Sequence, residues 1–532
     1  MGSIINYTKA VLKQKLAHPV KALILFLLPL FFFFGAVGAG KAIFKGRRET
    51  EDKPVSFQHI LITVATLTFY LFYTLTAAYD VVRERQMLRK QHMLANGLGN
   101  LKYFLGWTLA YTILMLPTMI VMMVVVYFLG LFPHVNIIVQ FIDMLIFQMS
   151  GITVAFWVSA TIPFPLLAFI IVFIFNTGFA GAYFGMAYIP ENVKETLCLF
   201  VSPMAIGTVI NNFQHAEIRG DEITLGNIIP FRGGKYNVWA NTFKLILNNV
   251  LYLTLGIAQE KIYNHLRKSI ADRKMEKKFV AQARDSNTKS ALAGPSIFSA
   301  DKVFKSYFAK KTGAADSLTN VNLEIQKGET FAITGEKGSG KSTLMKLLCS
   351  REVPSYGTLY YAAPTGLSQK EIMSTLGSVA PEDDYVLFEN ASVADNINLY
   401  SSFLKNKING FDLLKELNFT GKKGDRYSKL DAAEKAKVKA AIALMCDKDV
   451  FFFDEPTKDM TEKDKQAFWK LVESKKQGKT VVFSTTSFEE AAAHADRTVV
   501  LEKGSVASLG KVEINNDKVV ISEEQLEVKV EC

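Results

Sequence analysis

From residue 103 to residue 190 the chain carries a single formal charge, Asp143. A stretch so long and so apolar holds three membrane-crossing helices, broken near Pro133 and near Pro163 and Pro165. Residues 22–40 are long enough for another, and the mostly polar residues before them show no small-residue cleavage site, so this reads as a retained first helix. An uncharged run over 54–79 and a sixth over 242–258, with only Lys244 near its outer end, complete the set. The expected spans are about 22–40, 55–79, 103–131, 135–160, 164–189 and 242–260. Starting from the cytosol, six crossings return the chain to the cytosol by about residue 261.

Composition agrees with a membrane half joined to a soluble half. With 532 residues, 49% hydrophobic, a mean hydropathy of +0.17 and a net charge of +11, the chain is too apolar for a soluble two-domain protein and too long for one domain. The basic excess clusters beside the apolar segments, at Lys9, Lys13, Lys15 and Lys21, at Arg83, Arg85, Arg89 and Lys90, and over 267–278. That is positive-inside patterning rather than a nucleic-acid surface, although Lys41, Lys45, Arg47 and Arg48 in the outer segment 40–53 run against it. Residues 191–241 also fall outside, and both termini fall in the cytosol. The sequons at Asn6, Asn390 and Asn418 then face the cytosol, unused. Asn6 stands where a myristoylation signal needs Ser or Thr. Cys198, Cys349, Cys446, Cys532 and the seven histidines have neither disulfide nor metal spacing.

Three membrane-side features stand out. Asp143 reads as a carboxylate within a turn or two of the outer interface, facing protein or headgroups, or as a functional charge in the membrane. The phenylalanines at 31–34 read as bilayer-facing or packing surface, or as a lipid contact. Residues 80–98 place Val81/Val82, Met87/Leu88 and Met93/Leu94 six to seven residues apart, one stripe of an amphipathic helix ended by Gly97 on the inner face.

Residues 335–343, G-E-K-G-S-G-K-S-T, are a complete Walker A loop. Gly335, Glu336, Lys337, Gly338, Ser339, Gly340, Lys341, Ser342 and Thr343 form its nucleotide-binding set. The glycines let backbone N–H groups wrap phosphates, Lys341 reaches the β and γ oxygens, and the Ser342 hydroxyl holds Mg²⁺. Further on, the hydrophobic run 450–453 ends in Asp454-Glu455, a Mg²⁺ carboxylate followed by a candidate catalytic base. ATP and Mg²⁺ are the implied cofactors.

The segment Met93-Leu-Ala-Asn-Gly-Leu98, the order of membrane domain before nucleotide domain, Leu376-Gly-Ser-Val-Ala-Pro-Glu382, Ala441-Ile-Ala-Leu444 and Ser487-Phe-Glu-Glu-Ala491 together resemble the A subfamily of eukaryotic ABC transporters, over about residues 55–510. The resemblance implies an all-α polytopic membrane domain of six helices, of the ABC-2 or type V exporter kind, over 1–270. A cytosolic linker over 271–296 follows, then an α/β P-loop ABC nucleotide-binding domain over 297–512 and a tail over 513–532, either an edge strand or unstructured. It also implies an aromatic platform for adenine, with Phe304 the candidate and Tyr307 in reserve.

Against the family's pattern four accessory motifs are altered. The lid-loop Gln is Glu382, which can still offer oxygen to Mg²⁺ but, ionised, cannot donate to water. The signature maps onto Leu430, Asp431, Ala432, Ala433 and Glu434, with Tyr427-Ser428-Lys429 as an alternative start. The D-loop Asp is Thr461, and the switch His is Thr486. In the family's dimer the signature of one subunit closes on the γ-phosphate held by the other. Asp431 would oppose that phosphate by about 1–4 kcal/mol per pair of unit charges at about 4 Å.

These readings converge on an ATP-dependent transmembrane transporter, half-size, with intact ATP binding and weakened hydrolysis; the resemblance alone implies a membrane lipid as cargo. It works as a homo- or heterodimer with a second ABC half, the heterodimer favoured. The competing reading is a near-silent ATP-binding subunit that regulates or partners another membrane protein.

Overall fold

The structure, a computed structural model, describes residues 2–17, 19–44, 57–87, 89–95, 98–185, 190–225, 238–279, 296–306, 317–349, 352, 354–361, 377–379, 387–404, 408–446, 448–515 and 518–523. It divides into two compact units, one of Tyr7–Met87 with Leu101–Asn264, the other of Met1–Asn6, Leu88–Asn100 and His265–Cys532.

The first unit is helical. Its elements are α1 (Gly2–Leu16), α2 (Pro19–Phe44) and α3 (Phe57–Gln86), then, after the short α4 (Arg89–Ala95), α5 (Asn100–Phe128), α6 (Ile137–Ser159), α7 (Pro165–Gly185), α8 (Glu191–Cys198), α9 (Ser202–Arg219) and α10 (Val238–Phe279). Among the described residues α5 and α6 are long and apolar enough to cross a membrane, and α2 and α7 contain the shorter apolar stretches Ala22–Gly35 and Pro165–Gly178. Six spans were expected; among the described residues length and composition mark two of them.

Small residues let these helices approach. A Cβ on Gly151 of α6 would lie 2.4 Å from Thr74 Oγ1 of α3, and one on Gly256 of α10 would lie 3.3 Å from Trp157 Cα of α6. Trp157 stacks on Tyr252 with centroids 5.7 Å apart and 8° between planes. Asp143 is buried and faces protein, accepting from Thr242 Oγ1 of α10 at 2.5 Å. The phenylalanine run divides: Phe33 is buried against Phe69, whereas Phe31 is exposed. At the carboxyl-terminal end of α3, Glu84 Oε2 accepts from Tyr7 Oη, Tyr103 Oη and Trp107 Nε1 at 2.7–2.8 Å, which ties α1 and α5 to one carboxylate. The amphipathic helix expected over 80–98 is not one helix: α3 continues through Gln86 and α4 begins again at Arg89.

The second unit is the α/β domain. A three-stranded antiparallel sheet has the order β2-β1-β4, from β1 (Ser296–Lys305), β2 (Leu318–Gln326) and β4 (Tyr356–Tyr361). The main sheet has the order β10-β9-β8-β3-β7-β6-β5, from β3 (Thr330–Thr334), β5 (Gly377–Val379), β6 (Val450–Asp454), β7 (Thr480–Ser484), β8 (Arg497–Glu502), β9 (Ser505–Asn515) and β10 (Lys518–Glu523). Strands β8, β3, β7, β6 and β5 are parallel, and β3, β6 and β7 read as near-continuous buried runs because helices cover both faces. The tail beyond Lys511 forms an edge strand as far as it is described, with β10 antiparallel to β9. The helices are α11 (Lys341–Leu348), α12 (Val393–Ser401), α13 (Gly410–Glu416), α14 (Ala432–Met445), α15 (Glu462–Lys476) and α16 (Phe488–His494). Helix α4 belongs to this unit: Arg89 Nη2 donates to Leu387 O at 3.1 Å and its guanidinium lies 4.6 Å from the Phe388 ring centroid.

Candidate nucleotide site

Strand order explains why distant motifs meet. β7 lies between β3 and β6, and the loops leaving the carboxyl ends of all three carry the Walker A loop, Thr485-Thr486 and Asp454-Glu455. Parallel α/β sheets bind ligands at that edge. A cleft of about 1220 Å³ opens there, lined by Lys337, Gly338, Gly340, Lys341, Ser342, Thr343, Asp454, Glu455 and Thr486, among others. Gly335, Glu336 and Ser339 of the loop lie outside that lining.

The loop needs its glycines. Gly335 adopts φ +142°, and a Cβ there would meet Leu501 O at 2.2 Å; Gly340 has φ +106° and precedes α11 with no side-chain cap. The first N–H groups of α11 therefore face the cleft free of a side-chain acceptor, as an anion site requires. Lys341 Nζ donates to Gly335 O and Glu336 O, both at 2.9 Å. Burial pulls its pKa below that of an ordinary lysine, with Glu455 and Asp454 opposing the shift.

Asp454 ends β6 and accepts from Ser484 Oγ of β7. Glu455 then sits at φ +43°, a conformation costly for a side-chain-bearing residue, held by N–H donation to Ser484 Oγ at 2.9 Å. Its carboxylate pairs with Lys458 at 2.9 Å. Glu490, quoted in the motif at 487–491 without a role of its own, ties the region together, accepting from Thr457 Oγ1 (2.5 Å), Thr485 Oγ1 (2.6 Å) and Trp469 Nε1 (3.0 Å). Three buried donors on one carboxylate set the geometry of both the D-loop and the switch loop.

The altered motif positions have structural employment. Asp431 is the N-cap of α14, accepting from Glu434 N–H at 2.7 Å. Leu430 precedes it in extended conformation, and Ala433 is half-buried. Glu434 accepts from Thr420 N–H at 3.0 Å and from buried Lys437 at 2.8 Å. Burial lowers the Lys437 pKa, but hydrogen bonds to Glu434 and Asp464 more than offset it and leave the ammonium above the usual lysine range. Thr461 caps α15 and bonds Asp464 Oδ2 at 2.8 Å. Of the signature positions Ala432 alone lines the cleft. Phe304 lies in β1 against Tyr356, with centroids 5.9 Å apart, outside the cleft lining. Glu382 and Tyr307 fall outside the described residues.

Such a cleft, an uncapped helix start behind a glycine loop and two acidic residues ending a neighbouring strand, defines a P-loop nucleotide-binding domain. Residues 318–458 match the family described as ABC transporter. Along most of its length the chain is similar to A-subfamily ABC transporters. It is 25% identical over 485 residues to ATP-binding cassette sub-family A member 9 of Mus musculus, covering 85% of this chain and 29% of that protein. To the cholesterol transporter ABCA5 of Homo sapiens it is 23% identical, covering 87% and 29%. To the organic anion transporter ABCA8B of Mus musculus it is 25% identical, covering 85% and 29%. The chain thus spans about three-tenths of the length of these curated relatives. A solved dimeric cassette, MJ0796 bound to ADP and Pi, is 23% identical, covers 40% of this chain and 98% of its own, and has a TM-score of 0.37.

Proposed function

We propose that this chain binds MgATP at its P-loop and uses it, with slow turnover, to drive movement of a lipid through a six-span membrane domain whose termini both lie in the cytosol. The observation that carries the reading is the convergence of Lys341, Ser342, Asp454 and Glu455 on one cleft behind an uncapped helix start. The donor set fits a magnesium nucleotide: the α11 N–H groups and Lys341 suit phosphate, and the Ser342 hydroxyl with the Asp454 carboxylate suits a hard divalent cation. When bound, Mg²⁺ would neutralise charge on the phosphates. Glu455 would orient and deprotonate the attacking water, a role its pairing with Lys458 opposes by competing for the same carboxylate. The lipid cargo is supported by the similarity to a cholesterol transporter.

A second reading, a near-silent ATP-binding partner subunit, is favoured by one specific observation. Asp431 occupies the N-terminus of α14, where the family's signature would receive a partner's phosphate. ATP turnover and lipid movement by the purified full chain in vesicles separate the two. In either case Lys341→Ala should abolish MgATP-dependent thermal stabilisation, and unchanged stabilisation would overturn the nucleotide assignment.

A further inference from the structure

Besides the Walker residues, the cleft is lined by one complete face of α14. Ala432, Lys435, Ala436, Lys439 and Ala440 stand at i, i+3, i+4, i+7 and i+8, a single helical stripe, and all five line the cavity shared with Lys341 and Glu455. The opposite face is buried through Val438, Ala441, Ile442 and Met445. Lys437 pins it further, through ion pairs to Glu434 at 2.8 Å and Asp464 at 3.2 Å. The helix therefore cannot turn its lysine stripe away from the cleft.

The stripe has a chemical logic. Alanines at 432, 436 and 440 leave no bulk between the lysine stems and the cavity, so two ammonium groups one turn apart can swing into it. Lys435 Nζ also lies 5.7 Å from the ring centroid of the buried Tyr427. With Asp431 capping the helix N-terminus, what α14 offers the cleft is side-chain cation rather than backbone N–H.

Resting on the ATP-binding reading above, we propose that Lys435 and Lys439 form a second phosphate-binding pair. They engage the terminal phosphate of a nucleoside triphosphate held on the chain's own P-loop, in cis. Glu389, Asp454, Glu455 and Asp459 also line the cavity and are the carboxylates that would compete for them. The pair should distinguish triphosphate from diphosphate, because only the former carries a γ-phosphate for the pair to hold in addition to the oxygens that Lys341 reaches.

The test uses the full-length protein in detergent or nanodiscs and reads ATP and ADP affinity separately. Lys435→Gln with Lys439→Gln should weaken ATP by about tenfold or more, the scale of lost hydrogen bonds to charged groups, and leave ADP within about twofold. Lys435→Arg with Lys439→Arg should restore ATP affinity. Equal ATP and ADP affinities in wild type and the Gln variant, with Lys341→Ala still abolishing both, would overturn the lysine pair and leave the P-loop reading standing. Failure of wild type to bind ATP at all would overturn both. Should the Gln variant not fold, an acyl phosphate of ATP offers a direct readout on wild type: a lysine amine near the terminal phosphate attacks the acyl carbonyl, forming an amide and releasing ATP. Mass mapping of the label to Lys435 or Lys439 supports the proposal, and label confined to Lys341, Lys337 or Lys458 refutes it.

Discussion

Asp431 shows how a residue that looks like a lost function can be a gained structural contact. Its carboxylate satisfies an otherwise orphaned N–H of α14, a contact worth about 0.5–2 kcal/mol when removed to alanine. Serine caps almost as well, so Asp431→Ser should leave the melting temperature near wild type, whereas Asp431→Ala should lower it. Combining Asp431→Ser, Ala432→Gly, Ala433→Gly and Thr486→His should raise ATP turnover at least tenfold, which asks only about 1.4 kcal/mol of barrier. Two glycines in the first turn of α14 would cost stability, up to about 1 kcal/mol each. A brisk wild-type ATPase with no gain in the combined variant would show that these positions do not limit turnover.

At the scale of elements, buried charge decides which helices hold their place. Lys437 links α14 to α15 through Glu434 and Asp464, all three side chains being largely buried. Lys437→Met would take the cation from two carboxylates that keep only neutral donors, Thr420 and Thr461 among them, a loss that costs up to about 3–5 kcal/mol. A clear fall in the denaturation midpoint of the nucleotide domain is expected, and an unchanged midpoint would show the network to be dispensable. In the helical unit, the turn between α5 and α6 is clipped to α9: His134 Nδ1 lies 2.6 Å from Glu217 Oε2, and His134 N–H donates to Glu217 Oε1 at 2.7 Å. The hydrogen bond to Glu217 raises the His134 pKa above its ordinary value. Because the folded value is the higher one, the stabilisation is complete below the unfolded pKa of about 6.5 and is lost as pH rises through the folded value. Amide exchange of α9, corrected for intrinsic rates, should therefore quicken between pH 6 and pH 9, and His134→Gln should remove that dependence. PH-independent protection in wild type would show that the side-chain clip does not hold α9.

For the whole molecule the central matter is partnership. In a homodimer of the family's kind, Asp431 would oppose phosphate at both composite sites; a partner with an intact Ser-Gly-Gly signature would relieve that repulsion at the site built on Lys341, Asp454 and Glu455. The proposed assembly is accordingly a heterodimer. Purification from native membranes at low detergent, followed by identification of co-purified chains, tests it. A stoichiometric homodimer that moves lipid unaided would refute it.

Local chemistry made the nucleotide domain readable from the chain alone. The Walker loop depends on glycine φ values and on an uncapped helix start, both written into a contiguous motif, and β6 announces itself as a buried run ended by Asp454. The apolar stretches of the helical half were legible for the same reason, and among the described residues α5 and α6 are long and apolar enough to cross a membrane. What tertiary structure decided lies wherever the answer depends on a neighbour remote in sequence. Glu490 bonding Thr457 and Trp469, and Asp143 meeting Thr242, join segments that no pattern links. The face of α14 is the sharpest case. Lysines 435, 437 and 439 are alike in sequence, but helical phase and the packing of Val438 and Ile442 bury Lys437 in an ion-pair network and send Lys435 and Lys439 into the nucleotide cleft.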